Sequence, residues 1–130
     1  MANRASDWLA QAKKDLQAAE CLLRGGHYEW ASFAPIWAAE KAVRAVAQAQ
    51  TRGGDVQADT LFALVKTVLG QPLPADVFEA ARRLDRLALA TQYPSAWPTG
   101  APGDHCTRED AEAAIADGRL IVAHCQSRME

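Results

Sequence analysis

The stretch FAPIWAAEKAVRAVAQAQ, Phe33 to Gln50, constrains the fold more than any other. At 100° per residue it divides into three faces. Ile36, Ala39, Val43, Val46 and Ala47 form an aliphatic stripe. Ala34, Ala38, Ala42, Ala45 and Ala49 form an alanine stripe, which lets another helix approach closely. Phe33, Trp37, Glu40, Lys41, Arg44 and Gln48 form the third face. A helix that is apolar on two faces needs neighbours on both. One face meets the core of a small bundle; the other, carrying Ala34, Ala38, Ala42 and Ala45, is expected to meet a partner subunit. On the third face Glu40 and Arg44 stand at i,i+4, a pair worth a few tenths of a kcal/mol when exposed. That face reads either as a solvated stripe or as the lining of a cleft where Lys41 and Arg44 meet an anion.

The remaining segments follow helical periods as well. Trp8, Ala12, Leu16, Ala19 and Leu23 lie on one stripe of a helix over residues 5–24, stopped by Gly25 and Gly26. The second helix runs from near Tyr28 to about Gln50. Pro35 falls in its first turn if it begins at Ala31 or Ser32, and implies a kink if it begins at Tyr28. TRGGDVQAD is a loop, after which Asp59 or Thr60 caps a short third helix with Leu61, Leu64, Val65 and Val68 inward. A fourth helix spans about Pro74 to Ala90, with Val77, Ala81, Leu84 and Ala88 on one side. The Pro/Gly-rich TQYPSAWPTGAPGDHC is a long loop. Thr107 caps the last helix, whose first turn holds Glu109 and Asp110, where the helix dipole favours acids. Nothing reads as a strand. The expected architecture is an all-α, antiparallel up-and-down bundle of four longer helices and one short one, in a single domain over residues 1–130.

Composition limits the function. A net charge of −2 excludes a nucleic-acid clamp acting through bulk positive charge, though not a local basic patch. No basic start is followed by an apolar run, so no secretory leader is expected, and no apolar run is long enough to suggest a membrane span. Three cysteines, Cys21, Cys106 and Cys125, without a repeated spacing read as reduced thiols in a cytoplasmic protein. His105-Cys106 and His124-Cys125 lack the usual ligand spacing, and neighbours on a helix diverge by about 100°, so no metal and no cofactor is expected.

The run DWLAQAKKDLQAAECLLRGGHYEWASFAPIWAAEKAVRAV resembles the opening of the HEPN family, the higher eukaryotes and prokaryotes nucleotide-binding domain. The likeness rests on Ala12, Asp15, Leu16 and Ala19, the turn at Gly25 and Gly26, the pair Tyr28 and Glu29, and Ala38 to Ala42. LDRLALATQYPSAWPTGAPGDHCTREDAEAAIADGRLIV is similar to the family's end. The resemblance implies a dimerising helical bundle, a role near nucleotides or RNA, and pairing with a minimal nucleotidyltransferase in bacterial two-gene, toxin–antitoxin modules. The chain departs from the pattern at three points. Asp59 stands where many members carry His, LALA replaces tyrosines, and Gln92 replaces an Arg before Tyr93-Pro94. Each change removes a polar or cationic group from the expected cleft.

Ribonuclease members of that family use an Arg followed four to six residues later by a His. Arg119 and His124 in RLIVAH match. On a regular helix they lie about 140° apart, so one chain alone would not bring them to one phosphate. The competing reading is of cations satisfying a helix C-terminus. Arg82, Arg83 and Arg86 form a second cluster, read either as a solvated face paired with Glu79 and Asp85 or as a phosphate patch. Beside Lys41, Arg44, Tyr93 and Trp97 it would suit a stacked base. Tyr93 and Trp97 would otherwise pack the loop onto the bundle. The leading expectation is a non-catalytic nucleotide- or RNA-associated module. The alternatives are a metal-independent ribonuclease toxin using Arg119 and His124 across a dimer, and a dimeric interaction protein without a ligand.

Overall fold

The computed structural model describes residues 3–50 and 56–130. Its elements are α1 (Ala5–Arg24), α2 (Tyr28–Ala49), α3 (Leu61–Leu69), α4 (Ala75–Ala90), a 3₁₀ turn (Pro94–Ala96), the one-turn α5 (Pro102–His105) and α6 (Arg108–Arg128). No strand occurs among the described residues. Of the loop read over TRGGDVQAD, residues 51–55 lie outside the described ones.

Local chemistry sets the boundaries. Helix α1 closes in a Schellman motif: His27 N donates to Leu22 O and Gly26 N to Leu23 O, with Gly26 at φ 81°, a left-handed conformation that glycine adopts without steric cost. Helix α6 opens with a capping box. Asp110 N donates to Thr107 Oγ1, and Thr107 N donates back to Asp110 Oδ2. At α3 the cap is Thr60, whose Oγ1 accepts from Ala63 N at 3.0 Å; Asp59 is exposed and does not cap. Helix α2 begins at Tyr28 and continues through Pro35, which is buried well inside it.

Helix α2 is the axle of the bundle. It packs along α1 and α6, and on its other side against α3 and α4, while α4 also meets α6. This arrangement overturns the expected role of the alanine stripe. Ala38, Ala42 and Ala45 have no exposed surface within the single chain, and Ala34 is largely covered. The chain's own helices occupy both apolar faces of α2, so these alanines are not available to a partner subunit. The aliphatic face contributes Ala39, Val43, Val46 and Ala47 to a core shared with Leu61, Leu64 and Val65 of α3, Leu84 of α4 and Ile121 of α6.

The tightest crossing lies at Gly118 in α6. A Cβ there would stand 2.9 Å from Pro35 Cβ and 3.1 Å from Leu16 Cδ2. Only a residue without a side chain lets α6 approach α2 and α1 together at that depth. This close approach positions the C-terminal half of α6, and with it Arg119 and His124.

Candidate functional site

The cations singled out in the sequence do not converge. Lys41 Nζ donates to Asp15 Oδ2 at 2.6 Å and sits 5.4 Å from the Trp37 ring centroid. Both members of that ion pair are largely covered, so the ammonium serves the α1–α2 contact. Arg44 Nη1 donates to Val56 O at 2.9 Å, and its Nε lies 3.5 Å from Glu40 Oε2. Arg83 makes a bidentate pair with Asp117, both distances 2.9 Å, which ties α4 to α6 and raises the arginine's already high pKa. Arg119 pairs with Glu20 of α1.

Arg44 lines a cleft of about 190 Å³ between α2, the start of α3 and α4, together with Phe33, Trp37, Glu40, Asp59 and Asp85. The free amides at a helix N-terminus would ordinarily make such a cleft an anion site. Here Asp85 fills that role itself. Its Oδ1 accepts from Leu61 N and its Oδ2 from Phe62 N, each at 2.9 Å, while Thr60 takes Ala63 N. The α3 amides are therefore spoken for, and Glu40, Asp59 and Asp85 outnumber the one arginine. This cleft repels phosphate.

The aromatic residues of the loop separate into two roles. Trp97 Nε1 donates to Ala90 O at 2.7 Å, and its ring stacks on His105 with centroids 4.2 Å apart and planes within 7°. Trp97 thus anchors the loop to the end of α4. Tyr93 remains half exposed.

Arg119 and His124 face different neighbours. His124 lines a groove with Gln71, Pro72, Leu73, Pro74 and Arg128, on the side of the α3–α4 link, whereas Arg119 turns to α1. His124 Nε2 is buried without a hydrogen-bond partner. Burial holds its pKa below the ordinary value, Arg128 adds to the depression, and Asp76 opposes it. Burial likewise pushes the adjacent Cys125 thiol up to about 12. The buried, high-pKa Cys125 thiol is not poised for nucleophilic attack. Among the described residues no three His, Cys, Asp or Glu side chains form a group able to hold a metal, and no helix is long and apolar enough to cross a membrane.

One surface does combine cations with aromatic rings. Phe62 of α3 and Phe78 of α4 pack with centroids 5.5 Å apart. Arg82 lies 4.4 Å and Lys66 5.4 Å from the Phe62 ring centroid. With Ala75 and Glu79 these residues line a shallow depression of about 300 Å³. Lys66, Arg82 and Arg86 are exposed and form no ion pair with a described residue. The sequence reading identified Arg82 and Arg86 but missed Phe62, Lys66 and Phe78. A signal was present: Phe62/Lys66 and Phe78/Arg82 repeat one spacing, an aromatic followed four residues later by a cation, on two helices that pair.

Three solved structures resemble this bundle closely. TT1696 from Thermus thermophilus superposes with a TM-score of 0.90 at 36% identity, covering 98% of this chain and 99% of that one. ST0689, an archaeal HEPN homologue, gives 0.81 at 29%, covering 99% and 100%. The HEPN domain protein tm0613 from Thermotoga maritima gives 0.73 at 28%, covering 93% and 95%. No curated protein matches the chain. The HEPN domain profile matches residues 5–128, almost the whole helical bundle. With its order of helices, its glycine turn and its Thr107 cap all in place, the chain belongs to the HEPN domain family.

Proposed function

We propose that this HEPN-like chain is a non-catalytic module that binds RNA or nucleotides through the α3–α4 face. The carrying observation is that Arg82 and Lys66, neither ion-paired with a described residue, lie over the partly exposed Phe62 ring, which packs on Phe78, with Arg86 one turn further along α4. Phosphates would meet the guanidinium and ammonium groups, and a base would stack on or beside the rings. Local charge of this kind works within a chain of net charge −2, because screening confines electrostatics to about a Debye length. Lys41, Arg44 and Arg83 hold the bundle together. The engagement of Arg119 by Glu20, and the burial of the His124 Nε2, support binding over cleavage. The family likeness supports a minimal nucleotidyltransferase as protein partner in a toxin–antitoxin-type pair.

The test is fluorescence-anisotropy titration of a single-stranded RNA oligomer against wild type and Lys66→Ala/Arg82→Ala. Each lost phosphate contact on a single strand lowers the slope of log K against log salt by about 0.7, so the double variant is expected to lose about 1.4 in slope along with affinity. Equal affinity and slope in the two proteins would leave this face as ordinary surface.

A further inference from the structure

We infer that the ligand of the α3–α4 face is a single strand of RNA several nucleotides long, laid along α4 from the Phe62/Arg82 stack to Tyr93, and not a free nucleotide. The inference rests on the reading of that face given above and names its substrate class. Counted at 100° per residue, Phe78, Arg82, Arg86, Leu89 and Tyr93 fall within an arc of about 80° on α4 and the turn that continues it. Arg82 and Arg86 are exposed; Leu89 is 65% and Tyr93 49% exposed. Arg83, about 100° away from Arg82, is the arginine that pairs with Asp117. The Asp85 carboxylate is taken up by the α3 amides. Glu79 borders the depression at the Phe78 end. From Arg82 to Tyr93 the arc itself holds two arginines and no carboxylate.

Tyr93 is held in place as a second platform. Its backbone N donates to Leu89 O at 3.1 Å, continuing the helical turn, and its carbonyl accepts from Ala96 N at 3.2 Å. Buried Thr91 ties the same turn down through Oγ1, which donates to Leu87 O at 2.7 Å. Trp97 of this loop turns inward to Ala90 O, while Tyr93 stays at the surface. Eleven residues at a rise of 1.5 Å set Tyr93 about 16 Å beyond Arg82. A stacked strand advances about 3.4 Å per nucleotide, so about five nucleotides span the two platforms, and fewer do so when extended. A mononucleotide reaches one platform only. One base rests on the Phe62 ring or the Arg82 guanidinium above it, a later base rests on Tyr93, and the phosphates between them meet Arg82 and Arg86. Leu89 gives that span an apolar floor. In a duplex the base faces are covered by their stacked neighbours, so only the phosphate contacts would survive. The combination of two separated ring platforms and a cationic span selects an unpaired strand.

Competition anisotropy tests the inference, with labelled octauridylate displaced by unlabelled uridine monophosphate, uridine dinucleotide or octauridylate in excess EDTA. Far-UV circular dichroism confirms folding of each variant. For wild type the octamer is expected to bind on the order of a hundredfold more tightly than the dinucleotide, more than its choice of registers alone gives. Tyr93→Ala should weaken the octamer about tenfold and leave the dinucleotide unchanged. It should also leave the salt slope unchanged, since the ring meets no phosphate, and Tyr93→Phe should restore wild-type affinity. Arg86→Ala should instead lower the octamer's slope by about 0.7. An octamer no tighter than its registers allow, wild-type affinity in Tyr93→Ala, or a phenylalanine variant as weak as alanine would each overturn the track. If Lys66→Ala/Arg82→Ala still weakens every ligand in those cases, the face stands and the track alone falls. If that variant matches wild type on every ligand, the face falls and the track with it.

Discussion

Replacing Asp85 tests the reading of the α2–α3–α4 cleft most sharply. The carboxylate accepts from Leu61 N and Phe62 N, each at 2.9 Å, and lies half covered at the start of α3. A hydrogen bond to a charged group contributes about 1.5–3 kcal/mol, and an acid at a helix N-terminus adds about 0.3–1 kcal/mol. In Asp85→Ala the freed amides recover water through the open cleft, so the loss is not the sum of two full bonds. We expect about 2–3 kcal/mol by urea unfolding, or a Tm lower by about 6–12 °C for a domain of this size. Asp85→Asn keeps the shape and one acceptor and should lose about half as much. A second readout follows from the same geometry. With the carboxylate gone, the α3 amides become a vacant anion site, so inorganic phosphate should raise the Tm of Asp85→Ala more than chloride of equal ionic strength does, and should not do so for wild type. An alanine variant as stable as wild type, or an identical phosphate response in both proteins, would refute the claim that Asp85 fills this site.

Gly118→Ala gains helix propensity of about 1 kcal/mol but drives a methyl group to 2.9 Å from the rigid Pro35 ring, a strain of about 1–3 kcal/mol or more. Net destabilisation of up to about 2 kcal/mol in urea unfolding is expected, and a stabilised variant would contradict the tight α2–α6 crossing. His124 is neutral-favouring in the fold because burial lowers its pKa from the ordinary 6.5. The unfolded chain therefore takes up the proton first, and stability falls as pH drops through 6.5 and levels off below the folded value. Urea unfolding at pH 7.5 and pH 5 should show a smaller acid loss in His124→Gln than in wild type; equal losses would mean that His124 titrates as it does in the unfolded chain.

How much of this could be read from residue order depends on the distance over which each feature is encoded. Periodicity and caps are local, so α1, α4 and α6 stand close to their expected bounds, with Gly26 and Thr107 in their expected roles. Helix α5 escaped because four residues, Pro102–His105, carry no period. The alanine stripe shows the limit most clearly. A period of 3.6 reveals that Ala38 and Ala42 are covered but not by what, and the cover is the chain itself. The cations illustrate the same limit. Lys41 meets Asp15 from 26 positions away and Arg83 meets Asp117 from 34, so counting neighbours in sequence could not separate structural cations from free ones. Gly118 was overlooked for a related reason: what it makes room for, Pro35 and Leu16, lies on two other helices.

The central claim, binding without cleavage, comes down to one incubation. A labelled single-stranded RNA is titrated with wild-type protein in excess EDTA, anisotropy is read, and the same samples are then run on a denaturing gel beside His124→Ala. The account predicts saturable, salt-sensitive binding by both proteins and intact RNA throughout. Cleavage by wild type that disappears in His124→Ala would contradict it and place Arg119 and His124 in a working catalytic site.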